Sequence, residues 1–182
     1  IGDGHKVKCI DTVDRSMEAD KIGAEYYPKF EMVPFLKGCN VLILAVPQTD
    51  FEAMVSSLPT DLLHDKLLVE VCSLSTHPKA VLLQNTPPDT DVIVSNPMFG
   101  RYSSSSHSSA WDGQPMVYEK VRIRDERRAN AFLEVFERAR CQMVEMTAEE
   151  QDAHTADADF VTHLTGRLLD MSGGRTTAIG GD

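Results

Sequence analysis

Short apolar runs along this chain are separated by stretches in which apolar residues recur at helical spacing. The runs at 40–47, 67–71 and 91–94 are predominantly apolar and bounded by turn residues, which is typical of strands covered on both faces. The segments between them, 50–58 and 77–85, can form short helices. Strands that alternate with helices predict βαβ units, a parallel sheet, and helices on both faces of that sheet.

The rest of the chain extends this pattern and then departs from it. Segments 6–10, 114–118 and 142–146 are predicted as strands, and residues 125–140 as an amphipathic helix. Thr147 begins a capping-box pattern, from which we expect a helix to about residue 170 without a further strand signal. We therefore expect a second, helical domain to begin at this point.

Composition, charge and missing motifs argue against several functions for this chain. The formal net charge is −10 at pH 7, whereas nucleic-acid binding needs a basic surface, so we expect no nucleic-acid partner. No apolar run approaches the ~20 residues of a membrane helix, so we expect no membrane partner. No H-E-x-x-H or G-x-S-x-G motif is present, so neither a metal site nor a serine hydrolase is indicated. The four cysteines form no C-x-x-C pair and are predicted to be buried, reduced thiols.

The first predicted strand is followed by an acidic residue, Asp11. In a dinucleotide-binding sheet, a carboxylate at this position hydrogen-bonds the adenosine ribose hydroxyls and opposes a 2′-phosphate, so Asp11 favours NAD over NADP. Two alternatives remain open: Asp11 is only a turn residue, or the nearby Arg15 holds a 2′-phosphate. The glycine-rich phosphate loop should lie roughly 20 residues earlier. The sequence starts at Ile1, so we expect the first βα unit to be missing.

A set of motifs follows the predicted strands in a fixed order. The motifs are Glu70-Val71-Cys72-Ser73-Leu74-Ser75, Asn96-Pro97-Met98-Phe99-Gly100, Trp111-Asp112-Gly113-Gln114-Pro115, Cys141-Gln142-Met143-Val144-Glu145-Met146 and Phe160-Val161-Thr162-His163-Leu164-Thr165-Gly166-Arg167. From about His5 to Leu169 this set resembles the arogenate/prephenate dehydrogenase family, nearest its plant-like arogenate branch.

The resemblance implies an α/β fold with a Rossmann-like, doubly wound, mostly parallel sheet that lacks its first βα unit. The dinucleotide-binding domain would span residues 1–146, and residues 147–182 would be the first helix of an α-helical dimerisation or substrate domain. The implied activity is NAD(P)-dependent oxidative decarboxylation of arogenate or prephenate, a small-molecule substrate, in tyrosine biosynthesis. The full-length protein is expected to be a homodimer in the cytoplasm or the plastid stroma, with any targeting segment absent from this chain.

The resemblance also assigns candidate site residues. Asn96 takes the position of a histidine that hydrogen-bonds the substrate's ring hydroxyl, which makes it the first catalytic candidate. Ser73 is expected either to hydrogen-bond substrate or nicotinamide, or to cap the following helix. His163 lies in the substrate pocket, with a catalytic or binding role, or packs at the domain junction. Arg167 clamps a substrate carboxylate or lies on a solvated helix face.

The cofactor is expected to cross the ends of the buried strands. Val46 and Pro47 end one of these strands, and we expect the nicotinamide half of NAD(P) to run past them. Ser73 ends the next strand along the chain and is expected to contact the same part of the cofactor.

Several family positions carry different residues here. Asn96 replaces a His, Ser75 a Lys, Gln151-Asp152 a His-Asp pair, and Asp159 a Gln. Asn cannot take a proton at neutral pH, and the loss of general-base help typically costs ~10²–10⁴ in rate. Asn96 therefore predicts a slow enzyme, a base relocated to His107 or His154, or, as the alternative function, a non-catalytic dinucleotide- or ligand-binding relative.

Overall fold

The computed structural model describes residues 4–99 and 111–157 as strands that alternate with helices. In chain order the elements are β1 (Lys8–Asp11), α1 (Ser16–Ile22), β2 (Glu25–Pro28), α2 (Met32–Lys37), β3 (Val41–Leu44), α3 (Gln48–Ser57), β4 (Leu67–Glu70), α4 (Thr76–Asn85), β5 (Asp91–Pro97), β6 (Pro115–Arg122), α5 (Glu126–Arg138), β7 (Gln142–Glu145) and a helix α6 over 148–157. Two 3-10 turns, Lys29–Glu31 and Thr60–Leu62, precede α2 and β4.

Five strands form one sheet in the order β3-β4-β5-β6-β7, and β1 and β2 pair separately as a parallel two-stranded sheet. Within the larger sheet all neighbours are parallel except β5 and β6, which are antiparallel. The order and directions confirm the predicted α/β class and the mostly parallel, Rossmann-like sheet. The carboxyl ends of β3, β4 and β5 consequently lie at the same edge of the sheet.

Strand β4 is buried on both faces, as its apolar sequence predicts. Leu68 belongs to a core cluster that includes Phe51 of α3. Leu67 and Val69 belong to a second cluster, which includes Leu133 of α5. Helices α3 and α4 therefore cover one face of the sheet and α5 covers the other, which confirms the doubly wound arrangement.

The sequence analysis missed three short elements, α1, β2 and α2. Helix α1 has no side-chain cap and buries only Ala19, and β2 has no fully buried residue, so neither carries a strong local pattern. Contacts with the core hold this region instead, because Ile10 of β1 and Tyr27 of β2 pack against the cluster that contains Phe51. Strand β1 also ends at Asp11 rather than one residue before it.

The prediction of buried cysteines is correct for two of the four. Cys72 and Cys141 are buried, but Cys9 and Cys39 are only half-buried. Cys9 lies on β1 and Cys39 follows α2, and both elements are at the margin of the core. All four are free thiols.

The predicted capping box at the start of α6 is present. The Glu150 carboxylate accepts hydrogen bonds from both the N–H and the hydroxyl of Thr147, and the Glu150 N–H donates to the Thr147 hydroxyl at 3.2 Å. Across 4–99 and 111–157, no helix is long and apolar enough to cross a membrane.

Strand β4 ends in a fully buried carboxyl group, that of Glu70. Its Oε2 accepts the Cys72 N–H at 2.7 Å, whereas Oε1 has no hydrogen-bond partner within the described part of the chain. Desolvation raises the pKa of Glu70 to about 7, although hydrogen bonding to Ser75 and Cys72 opposes the shift. Near neutral pH a sizeable fraction of the buried carboxyl is therefore protonated.

We expect Glu70→Gln to remove a pH-dependent loss of stability. The raised pKa means that the folded state holds this proton more tightly than the unfolded state does. Wild-type stability therefore falls as pH rises from about 4.5 to about 7 and changes little above that. Chemical denaturation should show the free energy of unfolding of the variant, relative to wild type, increasing by about 2–3 kcal/mol between pH 5 and pH 8.

The matched control for this experiment is Glu18→Gln, because the Glu18 carboxylate is exposed to solvent and its partner, Arg15, stays charged over this pH range. Its unfolding free energy should follow the wild-type pH curve. Parallel curves for Glu70→Gln and wild type would show that the buried carboxyl does not titrate in this range.

Candidate active site at the carboxyl edge of the sheet

Polar side chains of β5 and of the loop after β4 meet at the carboxyl edge of the sheet. Asn96 is near the end of β5, where it pairs with Val117 of β6. Its Nδ2 donates to the backbone oxygen of Ser73, with 3.5 Å between the two atoms. The two positions that the sequence analysis selected for chemistry on these strands are thus neighbours.

The Ser73 side chain is exposed at this edge, and its hydroxyl makes no hydrogen bond to any residue in 4–99 or 111–157. The alternative role, an N-cap of the next helix, is wrong. Helix α4 begins at Thr76, three residues later, and the N–H groups of Ser75 and Thr76 donate to the carboxylate of Asp152. The Ser73 hydroxyl is consequently free to contact a bound molecule.

The loop after β4 is anchored at its start by strand residues. The Cys72 N–H donates to the buried Glu70 carboxylate, and the Ser95 hydroxyl of β5 donates to the Glu70 backbone oxygen at 2.8 Å. Both bonds are buried, so water does not compete with them. They fix the direction in which the chain leaves the sheet toward Ser73.

Two residues of α6, Gln151 and Asp152, support the same loop. Gln151 is buried, and its Nε2 donates to the Ser75 hydroxyl at 3.1 Å and to the Ser73 backbone oxygen at 3.4 Å. The sequence analysis noted this pair, in which Gln151 departs from the residue that the resemblance implies and Asp152 does not, but assigned neither a role. No local signal identifies such contacts, since Gln151 and Asp152 are more than 70 residues from the loop they hold.

Ser75, at the position where the resemblance implies a lysine, is fully buried below the edge. Its side chain accepts from Gln151 and lies beside the Glu70 carboxyl, whose pKa it lowers. Ser75 is therefore part of the support for the site rather than a residue of its surface.

The predicted cofactor residues lie at the ends of β1 and β3. Asp11 is exposed, and its Oδ1 accepts from the Val13 N–H and the Thr12 hydroxyl, both at 3.2 Å. These bonds, chiefly the one from Val13, hold the pKa of Asp11 below its usual range. Its other oxygen, Oδ2, is 3.8 Å from the Arg15 guanidinium. Asp11 and Arg15, the two candidates for reading the ribose substituent, thus lie together.

Val46 and Pro47 lie at the same edge as Ser73, but β3 ends at Leu44, so the two residues belong to the loop before α3 and not to the strand as predicted. Val46 is half-buried and packs against the core, and Pro47 is the exposed residue before α3. The pair offers an apolar surface at a strand end.

An aromatic cluster joins the end of β5, the segment before β6 and helix α5. The rings of Phe99, Trp111 and Phe136 contact one another, with centroid distances of 5.0 Å for Phe99–Trp111, 5.8 Å for Trp111–Phe136 and 6.2 Å for Phe99–Phe136. Phe132 of α5 contacts Phe136 edge-on at 5.4 Å. The aromatic cluster ties the chain on both sides of residues 100–110 to helix α5.

Other predicted site residues are not brought to this edge by any described contact. His163 and Arg167 lie outside the described residues, and so does His107. His154 is exposed on α6, and no hydrogen bond or ion pair within 4–99 and 111–157 joins it to Asn96.

Comparison with known proteins gives the same family on three grounds. Residues 2–145 match the family model described as prephenate dehydrogenase, nucleotide-binding domain. The chain is 35% identical over 184 residues to arogenate dehydrogenase 1, chloroplastic, of Arabidopsis thaliana, covering 98% of this chain and 28% of that protein. It is also 35% identical over 188 residues to arogenate dehydrogenase 2, chloroplastic, of the same plant, covering 98% of this chain and 50% of the relative. The chain thus spans half or less of the length of these relatives.

A solved structure supports the fold independently. The crystal structure of prephenate dehydrogenase from Aquifex aeolicus superposes with a TM-score of 0.72 at 16% sequence identity, covering 92% of this chain and 61% of that chain. The strand order and the edge that carries Ser73 and Asn96 agree with a dinucleotide-binding sheet. With a family model that matches most of its length, this chain belongs to the prephenate dehydrogenase family and contains that family's nucleotide-binding domain.

Proposed function

We propose that the protein containing this chain oxidises and decarboxylates arogenate or prephenate with NAD(P)+. The observation that carries this proposal is the meeting of Asn96 and Ser73 at the carboxyl edge of β4 and β5, in a domain of this family. The two plant relatives are named arogenate dehydrogenases, which favours arogenate as the substrate.

In this reaction a hydride leaves the carbinol carbon of the substrate ring and the bond to the ring carboxylate breaks. Carbon dioxide is lost, and the electrons of the broken bond make the ring an aromatic phenol. Bound NAD(P)+ supplies the hydride acceptor. The protein's task is to hold the carbinol carbon in position and to polarise its hydroxyl group.

Asn96 suits the second task in part. Its Nδ2 is engaged by the Ser73 backbone oxygen, which leaves Oδ1 to accept a hydrogen bond from the ring hydroxyl. We propose that the hydroxyl of Ser73 contacts the same substrate or the nicotinamide. We propose that His163 completes the substrate pocket and that Arg167 clamps a substrate carboxylate.

At the other end of the site, we propose that Asp11 accepts from the ribose hydroxyls through Oδ2, which pairs with Arg15 at 3.8 Å but accepts none of the hydrogen bonds that Oδ1 receives from its own loop. The arrangement fits a dinucleotide, because an exposed, ionised carboxylate follows β1 and an apolar strand end, Val46-Pro47, follows β3. The negative charge of Asp11 opposes a 2′-phosphate, so we propose NAD as the preferred cofactor.

We further propose that the complete protein is a homodimer that pairs through a helical domain beginning at residue 147. Both Arabidopsis relatives are named as chloroplastic, which supports the plastid stroma over the cytoplasm as its location.

We expect Asn96→His to raise turnover with arogenate or prephenate in the complete protein. A histidine at this position can take a proton near neutral pH, which an asparagine cannot. Steady-state kinetics should show a gain of ~10-fold or more in kcat, the lower end of what general-base help contributes. The pH profile should also gain a rise near pH ~6.5, the ordinary pKa of histidine.

The matched control is Asn96→Gln, which keeps the amide chemistry and should not raise kcat. If the base is instead His107 or His154, then Asn96→His has little effect and the corresponding His→Ala variant loses activity. A protein in which none of these variants forms NADH or NADPH from either substrate contradicts the proposed reaction.

We expect Asp11→Ser to shift cofactor preference toward NADP+. The substitution removes a charge that repels a 2′-phosphate and leaves Arg15 close by to bind one. The ratio of kcat/KM for NADP+ to that for NAD+ should increase by about tenfold, which corresponds to about 1.4 kcal/mol.

Two further variants locate the origin of this effect. Asp14→Asn removes the same charge from the same loop but not from the end of β1, and should leave the ratio within about twofold of wild type. Adding Arg15→Ala to Asp11→Ser should cancel the gain. An unchanged ratio for Asp11→Ser would place Asp11 away from the ribose.

A further inference from the structure

Two residues near the start of α6, Gln151 and Asp152, hydrogen-bond the loop that carries Ser73. Asp152 binds the start of helix α4 with both carboxylate oxygens: Oδ1 accepts the Ser75 N–H at 2.7 Å, and Oδ2 accepts the Thr76 N–H at 3.0 Å. Helix α4 has no side-chain cap of its own. A residue from a distant part of the chain therefore supplies the negative group that a helix N-terminus favours.

Gln151 holds the same loop one residue earlier on α6. Its Nε2 is 3.4 Å from the Ser73 backbone oxygen and 3.1 Å from the Ser75 hydroxyl. The Ser73 oxygen also accepts from Asn96 of β5. This one carbonyl is thus held from two sides, by the sheet and by α6.

The turn that carries these two residues is itself fixed to the rest of the domain. Lys79 of α4 pairs with Glu149 at 3.1 Å and with Glu119 of β6 at 2.8 Å. Glu119 also accepts the N–H of Ala148 at 2.7 Å. The side chains of Lys79 and Glu119 are each 18% exposed, so this ion pair is mostly shielded from water. These contacts fix the start of α6 relative to α4 and β6, and therefore relative to the loop that carries Ser73.

We propose that Gln151 and Asp152 are positioning residues, which set the place of the Ser73 hydroxyl relative to the Asn96 carboxamide. This inference rests on the proposed function, because it assigns Ser73 and Asn96 to the reacting end of the site. Between Ser73 and Thr76, α6 holds the first carbonyl, the Ser75 hydroxyl and the last two N–H groups, while the Ser73 hydroxyl stays free. A shift of α6 therefore moves the group that faces the substrate.

The test compares Asp152→Ala, Asp152→Asn and the control Asp157→Asn in the complete protein. Asp157 lies on the same helix and is exposed, and its side chain makes no hydrogen bond or ion pair with residues 4–99 and 111–157. Two measurements are made on each variant: hydrogen exchange of the segment 72–77, and kcat and KM for arogenate, prephenate and both cofactors.

Asp152→Ala should expose the Ser75 and Thr76 amides to faster exchange. Its kcat should fall by ~10-fold or more with the KM for NAD(P)+ changed less than about threefold, because misplacement of a positioned group affects the reacting geometry most. Asp152→Asn keeps one accepting oxygen and should recover most of the lost kcat. Asp157→Asn should match wild type in both measurements.

A second substitution distinguishes loss of positioning from a general loss of folding. Gln151→Met keeps the approximate volume of the side chain and removes both of its hydrogen bonds, and should lower kcat in the same way as Asp152→Ala. A wild-type kcat in Gln151→Met and Asp152→Ala, with faster exchange in the latter, overturns the positioning role and leaves only a structural cap. If wild type and Asp157→Asn are themselves inactive with both substrates, the proposed function fails, and this inference fails with it.

Discussion

Burial of β4 on both faces is the constraint on which the rest of this structure depends. A strand that is apolar on both sides has no place for functional polar groups along its length, so they lie at its ends. Glu70, Ser73 and Ser75 all follow the last apolar residue of β4, and Asn96 occupies the equivalent place on β5. Because β3, β4 and β5 are parallel, their ends combine into one edge, and that edge is the candidate active site.

The loop after β4 leaves the sheet with few local restraints, and the structure supplies them from three directions. The buried Glu70 carboxyl holds the Cys72 N–H, and β5 holds the backbone oxygens of Glu70 and Ser73. The first turn of α6 holds the remainder through Gln151 and Asp152. A loop supported in this way can present a free hydroxyl in a defined place, which is what positioning a substrate requires.

Two positions at this edge carry uncharged residues where the resemblance implies a histidine and a lysine. They are Asn96 and the buried Ser75. Beside Ser75, desolvation by burial raises the pKa of Glu70 to about 7, and hydrogen bonds to Ser75 and Cys72 oppose that shift. Burial thus accounts for a titratable group beneath the edge that carries Ser73 and Asn96.

The sequence by itself determined the architecture and selected the edge of the sheet that carries the candidate site. Apolar runs at 40–47, 67–71 and 91–94 identified three parallel strands because burial on both faces leaves a pattern in every few residues. The ordered motifs identified the family and selected Ser73 and Asn96 before any contact between them was known. The capping box at Thr147 could also be predicted from the sequence, because its two partners are only three residues apart.

Only the tertiary structure decided what holds these residues in place. The cap of α4 comes from Asp152, 76 residues beyond Thr76, and a local pattern carries no information about a partner at that distance. The weak elements α1, β2 and α2 depend in the same way on packing against the core rather than on their own propensity. Short-range rules therefore give the strands and their ends, whereas the hydrogen bonds that fix Ser73 exist only once α6 has docked on the sheet.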